Sequence, residues 1–105
     1  MIFDKYLNDT YLDLLYNNYS MDYLKSIDPD NFVKIYNLLE KKGFYFIEDI
    51  ILNYMDMFEL DSNTLDKVLT YLESKLGKTY IKKIGRNMLI LDKIIEITLK
   101  LELEE

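Results

Sequence analysis

Five of the chain's thirteen basic residues, Lys75, Lys78, Lys82, Lys83 and Arg86, stand in one short run without an acid. Inside it, Gly77-Lys78-Thr79 reads like the end of a nucleotide-binding loop. Such a loop needs a second glycine five positions earlier, because backbone amides of a glycine-rich turn must wrap the phosphates. Leu72 stands there, and what precedes is an amphipathic helix pattern instead of a strand, so no nucleoside triphosphate site is expected. Two acidic stretches suggest calcium loops and fail in the same way. Asp28 and Asp30 are followed by Phe32, and Asp61 by Leu65, where oxygen ligands belong, and neither stretch has the central glycine. The chain has no His and no Cys. Zinc, iron and copper sites built on imidazole or thiolate are therefore excluded, as are disulfides. Catalysis would have to rest on carboxylates, Lys or Tyr. The adjacent acids Glu48 with Asp49, and Asp56 with Glu59, read as solvated helix faces. No enzyme activity, metal or cofactor is expected.

The net charge of −6 is unevenly spread. Residues 1–74 hold six Lys against fourteen Asp and Glu, residues 75–86 hold only the five cations, and the remainder has two Lys against five acids. Lys78, Lys82 and Arg86 recur every four residues, so a helix would set them on one side with Lys83 beside them. One reading is a cationic patch for phosphates or an acidic partner. The other is that these charges complement helix dipoles and the acidic body of the same protein. That acidic body also admits a third reading, an inhibitor that imitates nucleic acid. Aromatic content offers another route to partners. Ten Tyr and five Phe exceed what so small a core accommodates, and amphipathic rings are favoured at interfaces. Tyr16, Tyr19, Tyr23 and Tyr45 lie beside the best apolar stripes and are the candidate interface.

The elements that must carry these groups are helical. At 105 residues the chain suits one domain, and half of it is apolar or aromatic. Its richness in Ile, Lys, Asn, Tyr and Phe is what an AT-rich coding sequence produces. Apolar positions recur at helical spacing almost throughout. Phe3, Tyr6, Leu7, Thr10, Tyr11 and Leu14 trace one face of a first helix, and Ser20 is placed to cap a short second one. The third is punctuated by Asp28 as cap, Pro29 at its first position and Gly43 as its stop. Residues 44–60 form an apolar helix with a stripe of Ile47, Ile50, Ile51, Tyr54 and Phe58, expected to be central and buried. After Asp61 or Ser62 as cap, Leu65, Val68, Leu69, Leu72 and Leu76 make an amphipathic helix that ends at Gly77. A short helix over 79–84 and a last one from Asn87 complete the order.

The C-terminal stretch alternates strictly, with Ile95, Ile97, Leu99, Leu101 and Leu103 on one side and Glu96, Thr98, Lys100, Glu102 and Glu104 on the other. That is a strand pattern, yet Leu, Lys and Glu favour helix, and Leu91, Ile94, Ile95, Thr98 and Leu101 also fit one helical face. Helix is the expectation; a strand there would have to pair with another copy or another protein.

The two glycine stops define a repeat. At the offset that carries Gly43 to Gly77, Leu38 matches Leu72, Ile47 matches Ile81, Ile50 matches Ile84 and Asn53 matches Asn87. Each unit reads as a helix, a glycine stop and a short Ile-x-x-Ile helix. Residues 32–95 in this register resemble the helical repeats of the mitochondrial transcription termination factor family. The resemblance implies a stacked helical solenoid and, in that family, nucleic-acid binding through a basic groove. The family's proline after the second helix is missing here, with Tyr54–Met57 and Met88–Leu91 in its place. Two repeats are too few for such a groove.

These readings converge on an all-α, single-domain bundle of five to seven short helices, with two helical-hairpin repeats as one arrangement. The expected function is a small non-enzymatic protein that binds another macromolecule, a protein or a second copy of itself. Nucleic-acid binding through the 75–86 segment is the alternative. No apolar run reaches the roughly 18 residues of a membrane span, and the N-terminal stretch lacks signal-peptide features, so a cytoplasmic location is expected.

Overall fold

A computed structural model describes residues 1–104 of the chain. Its α-helices are α1 (Asp9–Asn18), α2 (Met21–Ser26), α3 (Pro29–Lys42), α4 (Ile47–Asn53), α5 (Ser62–Leu76), α6 (Tyr80–Arg86) and α7 (Ile90–Glu104). Two 3-10 turns, Ile2–Lys5 and Met55–Glu59, complete the order, and the described residues contain no strand. This is the expected all-α bundle.

Local chemistry sets most helix ends. Side chains of Asn8, Ser20, Asp28 and Asp61 accept the first free backbone N–H groups of α1, α2, α3 and α5. Pro29 occupies the first turn of α3, where a missing N–H costs nothing. Gly43 ends α3 at φ 97°, and Gly77 ends α5 at φ 85° with ψ −177°. Both are backbone states that residues with a Cβ resist.

Two expected helices are broken. The stripe from Phe3 to Leu14 does not lie on one helix: the chain leaves the 3-10 turn at Tyr6, and Asn8, extended at ψ 174°, starts α1 afresh by accepting from the Tyr11 N–H at 2.9 Å. That restart rotates the later residues, so Leu15 is fully buried and Leu14 is 43% exposed. The apolar segment 44–60 is central and buried as its composition demands, but it breaks at Tyr54 into α4 and a 3-10 turn. Partners from elsewhere in the chain stabilise the break. The Asn18 Nδ2 donates to the Leu52 carbonyl, the Tyr19 hydroxyl accepts from the Met55 N–H, and the Asn31 Nδ2 donates to the carbonyls of Phe58 and Leu60. No local sequence signal announces bonds between groups so distant along the chain.

The core runs through the middle of these elements. Phe32 on α3 meets Phe3 edge-on at 5.2 Å and stacks on Phe58 at 4.7 Å. Ile35, Leu39, Ile50, Ile51, Met55, Leu65, Ile84 and Leu91 are fully enclosed beside this cluster. Each such side chain contributes about 1.5–3 kcal/mol of apolar burial. Helices α3, α5 and α7 pack in a row, α3 on α5 and α5 on α7, while α1 packs on α4 and α6 on α5. The recurrence seen in the sequence persists in the elements: shifted by the offset from Gly43 to Gly77, α3 and α4 fall on α5 and α6 with nearly coincident ends. Burial follows suit at Ile35 and Leu69, Phe46 and Tyr80, Ile50 and Ile84, and Met57 and Leu91.

The C-terminal stretch is helical, and its alternation has a structural consequence. A helix turns about 100° per residue, so residues two apart are separated by about 200° and cannot share a face. Ile95 therefore points into the core, while Ile97, Leu99, Leu101 and Leu103 flank the buried stripe at 37–88% exposure. Two residues of the opposite set turn inward instead. Thr98 is fully buried with its hydroxyl donating to the Ile94 carbonyl at 2.7 Å, and the Glu102 carboxylate accepts from the Asp61 N–H at the start of α5.

Candidate interaction surface

The basic segment occupies the end of α5, the connector and α6, and all five cations are exposed. None forms an ion pair with an acid among the described residues. Two are engaged within the chain. Lys83 donates from Nζ to the Leu76 carbonyl at 2.8 Å, closing one of the free carbonyls at the end of α5, and the Lys75 ammonium lies 5.5 Å from the centre of the Tyr71 ring. Lys78, Lys82 and Arg86 project into solvent.

The four tyrosines separate. Tyr23 donates its hydroxyl to Glu59 at 2.9 Å, and Tyr19 lies beside it at 5.4 Å between ring centres. Both tie the α1–α2 region to the 3-10 turn Met55–Glu59. Burial, reinforced at Tyr23 by the hydrogen bond to Glu59, lifts both phenols above their ordinary value. Tyr16 reaches Asp4 at 3.5 Å, and partial desolvation together with that carboxylate raises its phenol too. Tyr45 is 69% exposed, its ring edge-on to Phe46 at 5.0 Å and its hydroxyl over Gly85, where a Cβ would come within 2.8 Å of it. The four do not form one patch: three brace the N-terminal half, and Tyr45 packs toward α6.

Another surface was absent from the residue-by-residue reading. Between α5 and α7 runs a groove of about 330 Å³ lined by Lys67, Val68, Tyr71, Leu72, Ile97 and Leu101. Tyr71, Ile97 and Leu101 on its walls are 60%, 45% and 37% exposed, an apolar surface open to water. A groove of nearly the same size, about 320 Å³, runs between α3 and α5, lined by Lys34, Asn37, Leu38, Lys41, Ser62, Asn63 and Asp66. The two occupy matching places in the repeat. At the offset from Gly43 to Gly77, Lys34 becomes Val68, Asn37 becomes Tyr71, Leu38 stays leucine at Leu72, and Asn63 becomes Ile97. The sequence signals that would have found the second groove are this comparison and the alternation after Ile95 laid onto a helix.

No cluster of acids that would hold a metal ion occurs among the described residues, and no helix there is long and apolar enough to cross a membrane. Comparison of the chain with protein-family models, with characterised proteins and with solved structures yields no match in any of the three.

Proposed function

We propose that this chain is a non-enzymatic protein-interaction module whose α5–α7 groove receives the apolar side chains of a helical segment. The observation that carries this reading is the groove itself. Its lining is apolar apart from Lys67, and it sits where the equivalent α3–α5 groove is polar. The two grooves, of nearly equal volume and in matching positions, differ in the chemistry of their walls. Leaving Tyr71, Ile97 and Leu101 in water is costly for a folded surface, and covering them by a partner recovers apolar burial at roughly 25 cal/mol per Å². Helix-in-groove binding uses anchors at this spacing.

The test substitutes the residues of the polar groove, or their chemistry, into the apolar one. In Y71N/I97N/L101K each changed residue is exposed, so thermal unfolding should match the wild type closely. The fluorescence of 1-anilinonaphthalene-8-sulfonate is then followed with each protein at a dilution where sedimentation shows monomer. Enhancement by the wild type and its loss in the variant are expected. Equal fluorescence with both proteins would remove the groove as a binding site.

A further inference from the structure

We infer that the occupant of the α5–α7 groove is a second copy of this chain, with the two α7 helices crossing antiparallel about a two-fold axis that passes between Ile97 and Leu101; this rests on the groove reading above. The groove is self-complementary. Its α7 wall presents Ile97 and Leu101, four residues apart and both exposed, and these are the kind of anchors the groove is built to accept. A two-fold contact requires that one patch meet itself, and this patch satisfies that requirement without help from any other surface.

Charge fixes the direction. On α7 the groove-side edge carries Lys93 near its start, 3.5 Å from Glu96 on the same helix, and Glu104 at its end, both exposed and accessible to a partner. When Ile97 of one copy lies opposite Leu101 of the other in antiparallel order, Lys93 falls within one residue of the partner copy's Glu104, twice over by symmetry. A parallel arrangement instead sets Lys93 against Lys93 and Glu104 against Glu104. Opposite charges at such rim positions select orientation more than they add affinity.

The contact is small. A 15-residue helix is about 22 Å long, so one crossing falls in the weak class below about 1,200 Å² of total buried surface. Association is therefore expected to be weak and dependent on concentration. Each copy carries a net charge of −6, so long-range repulsion opposes pairing, and moderate salt strengthens the dimer by screening it.

Sedimentation equilibrium over a range from nanomolar to hundreds of micromolar decides the matter, with Y71N/I97N/L101K, K93E and K93E/E104K run beside the wild type. Expected are a rise toward twice 12.7 kDa for the wild type, undiminished at high salt, and monomer throughout for the groove variant. K93E should weaken association by about three- to tenfold, and K93E/E104K, which reverses both rim charges, should restore it. Naphthalene-dye fluorescence per molecule should fall as the wild type dimerises and the groove fills. A monomer at every concentration whose groove still binds the dye would overturn the second-copy proposal and leave the groove reading standing. A monomer that binds no dye would overturn both. A dimer that survives in Y71N/I97N/L101K would place the contact elsewhere and also overturn the proposal.

Discussion

The α3–α5 and α5–α7 grooves are two versions of one packing arrangement, and they part company in how they meet water. In the first, Lys42 on α3 reaches across to Asp66 at 2.6 Å and to the Thr70 hydroxyl at 3.0 Å on α5. At the matching places of the second unit, Lys42 is replaced by Leu76 and Asp66 by Lys100, which turns to Glu96 on its own helix at 3.3 Å. The same offset sets Asp66 where the first unit has Phe32, and Leu89 where it has Met55; Phe32 and Met55 are fully buried, whereas Leu89 is 68% exposed. The first unit is thus covered on both sides, by the N-terminal helices and by α5. The second keeps the backbone plan and leaves an edge open. Equivalent scaffolding with opposite surface chemistry separates what folding requires from what folding leaves available.

The largest expected effect tests that division at a single repeat position. Phe32 touches Phe3, Tyr6 and Phe58 and has no exposure, so Phe32→Ala opens a cavity in the centre of the first unit and should cost about 3–5 kcal/mol. Asp66→Ala, at the matching position in the second unit, should cost no more than about 1 kcal/mol, since it removes a surface ion pair. Chemical denaturation of both variants measures the ratio. Similar losses at the two positions would mean that the second unit is as closed as the first.

A smaller effect distinguishes the two glycine stops. Gly43, at φ 97° and ψ 16°, is in the left-handed region that asparagine tolerates. Gly77, at φ 85° and ψ −177°, is in a region that is essentially glycine's alone. A Cβ at Gly77 meets no atom within 4 Å, so any penalty there is backbone strain and not crowding. Gly77→Asn should cost about 1–3 kcal/mol and Gly43→Asn under about 1 kcal/mol, read from denaturation midpoints at unchanged slope. Equal losses would show that the two stops are held in the same backbone state.

What could be read from the sequence follows the range of the interactions. Caps and stops act within about one helical turn, so Ser20, Asp28, Pro29, Asp61, Gly43 and Gly77 mark helix ends legibly. The break at Tyr54 depends on Asn18, Tyr19 and Asn31, whose bonds come from other parts of the chain, and apolar spacing alone runs straight through it. Leu14 and Leu15 exchange roles because one capped restart at Asn8 rotates everything after it. The groove was least legible. Its walls, Tyr71 and Ile97, are far apart in sequence and become neighbours only when α7 lies on α5. The alternation after Ile95 was visible, but its meaning depends on the element: on a strand it makes one apolar face, and on a helix it makes two apolar flanks.

The smallest effect concerns the Lys42–Asp66 bridge, the feature that most directly marks the surface between α3 and α5 as polar. The hydrogen bond from Lys42 is the leading cause that holds the Asp66 carboxyl below its ordinary value of 3.8; its partial burial opposes this, and the charge of Lys42 and the Thr70 hydroxyl assist. A carboxyl depressed in the folded state stabilises the fold fully above its unfolded value, and the gain disappears as pH falls through the folded value. Asp66 is half exposed, which limits the gain to about 0.5–1 kcal/mol once solvent screening is counted. Lys42→Met keeps the side-chain stem and removes the charge. The wild type should therefore exceed this variant by that margin near neutrality, and the gap should close as pH drops below 3.8. Asp61 is depressed as well, by its hydrogen bonds from Thr64, but it is common to both proteins and cancels in the difference. Unfolding curves for the pair from neutral to strongly acid pH measure the gap directly. A difference that persists unchanged into acid would assign the role of Lys42 to its hydrogen bond with the Thr70 hydroxyl, which does not titrate there, and not to its pairing with Asp66.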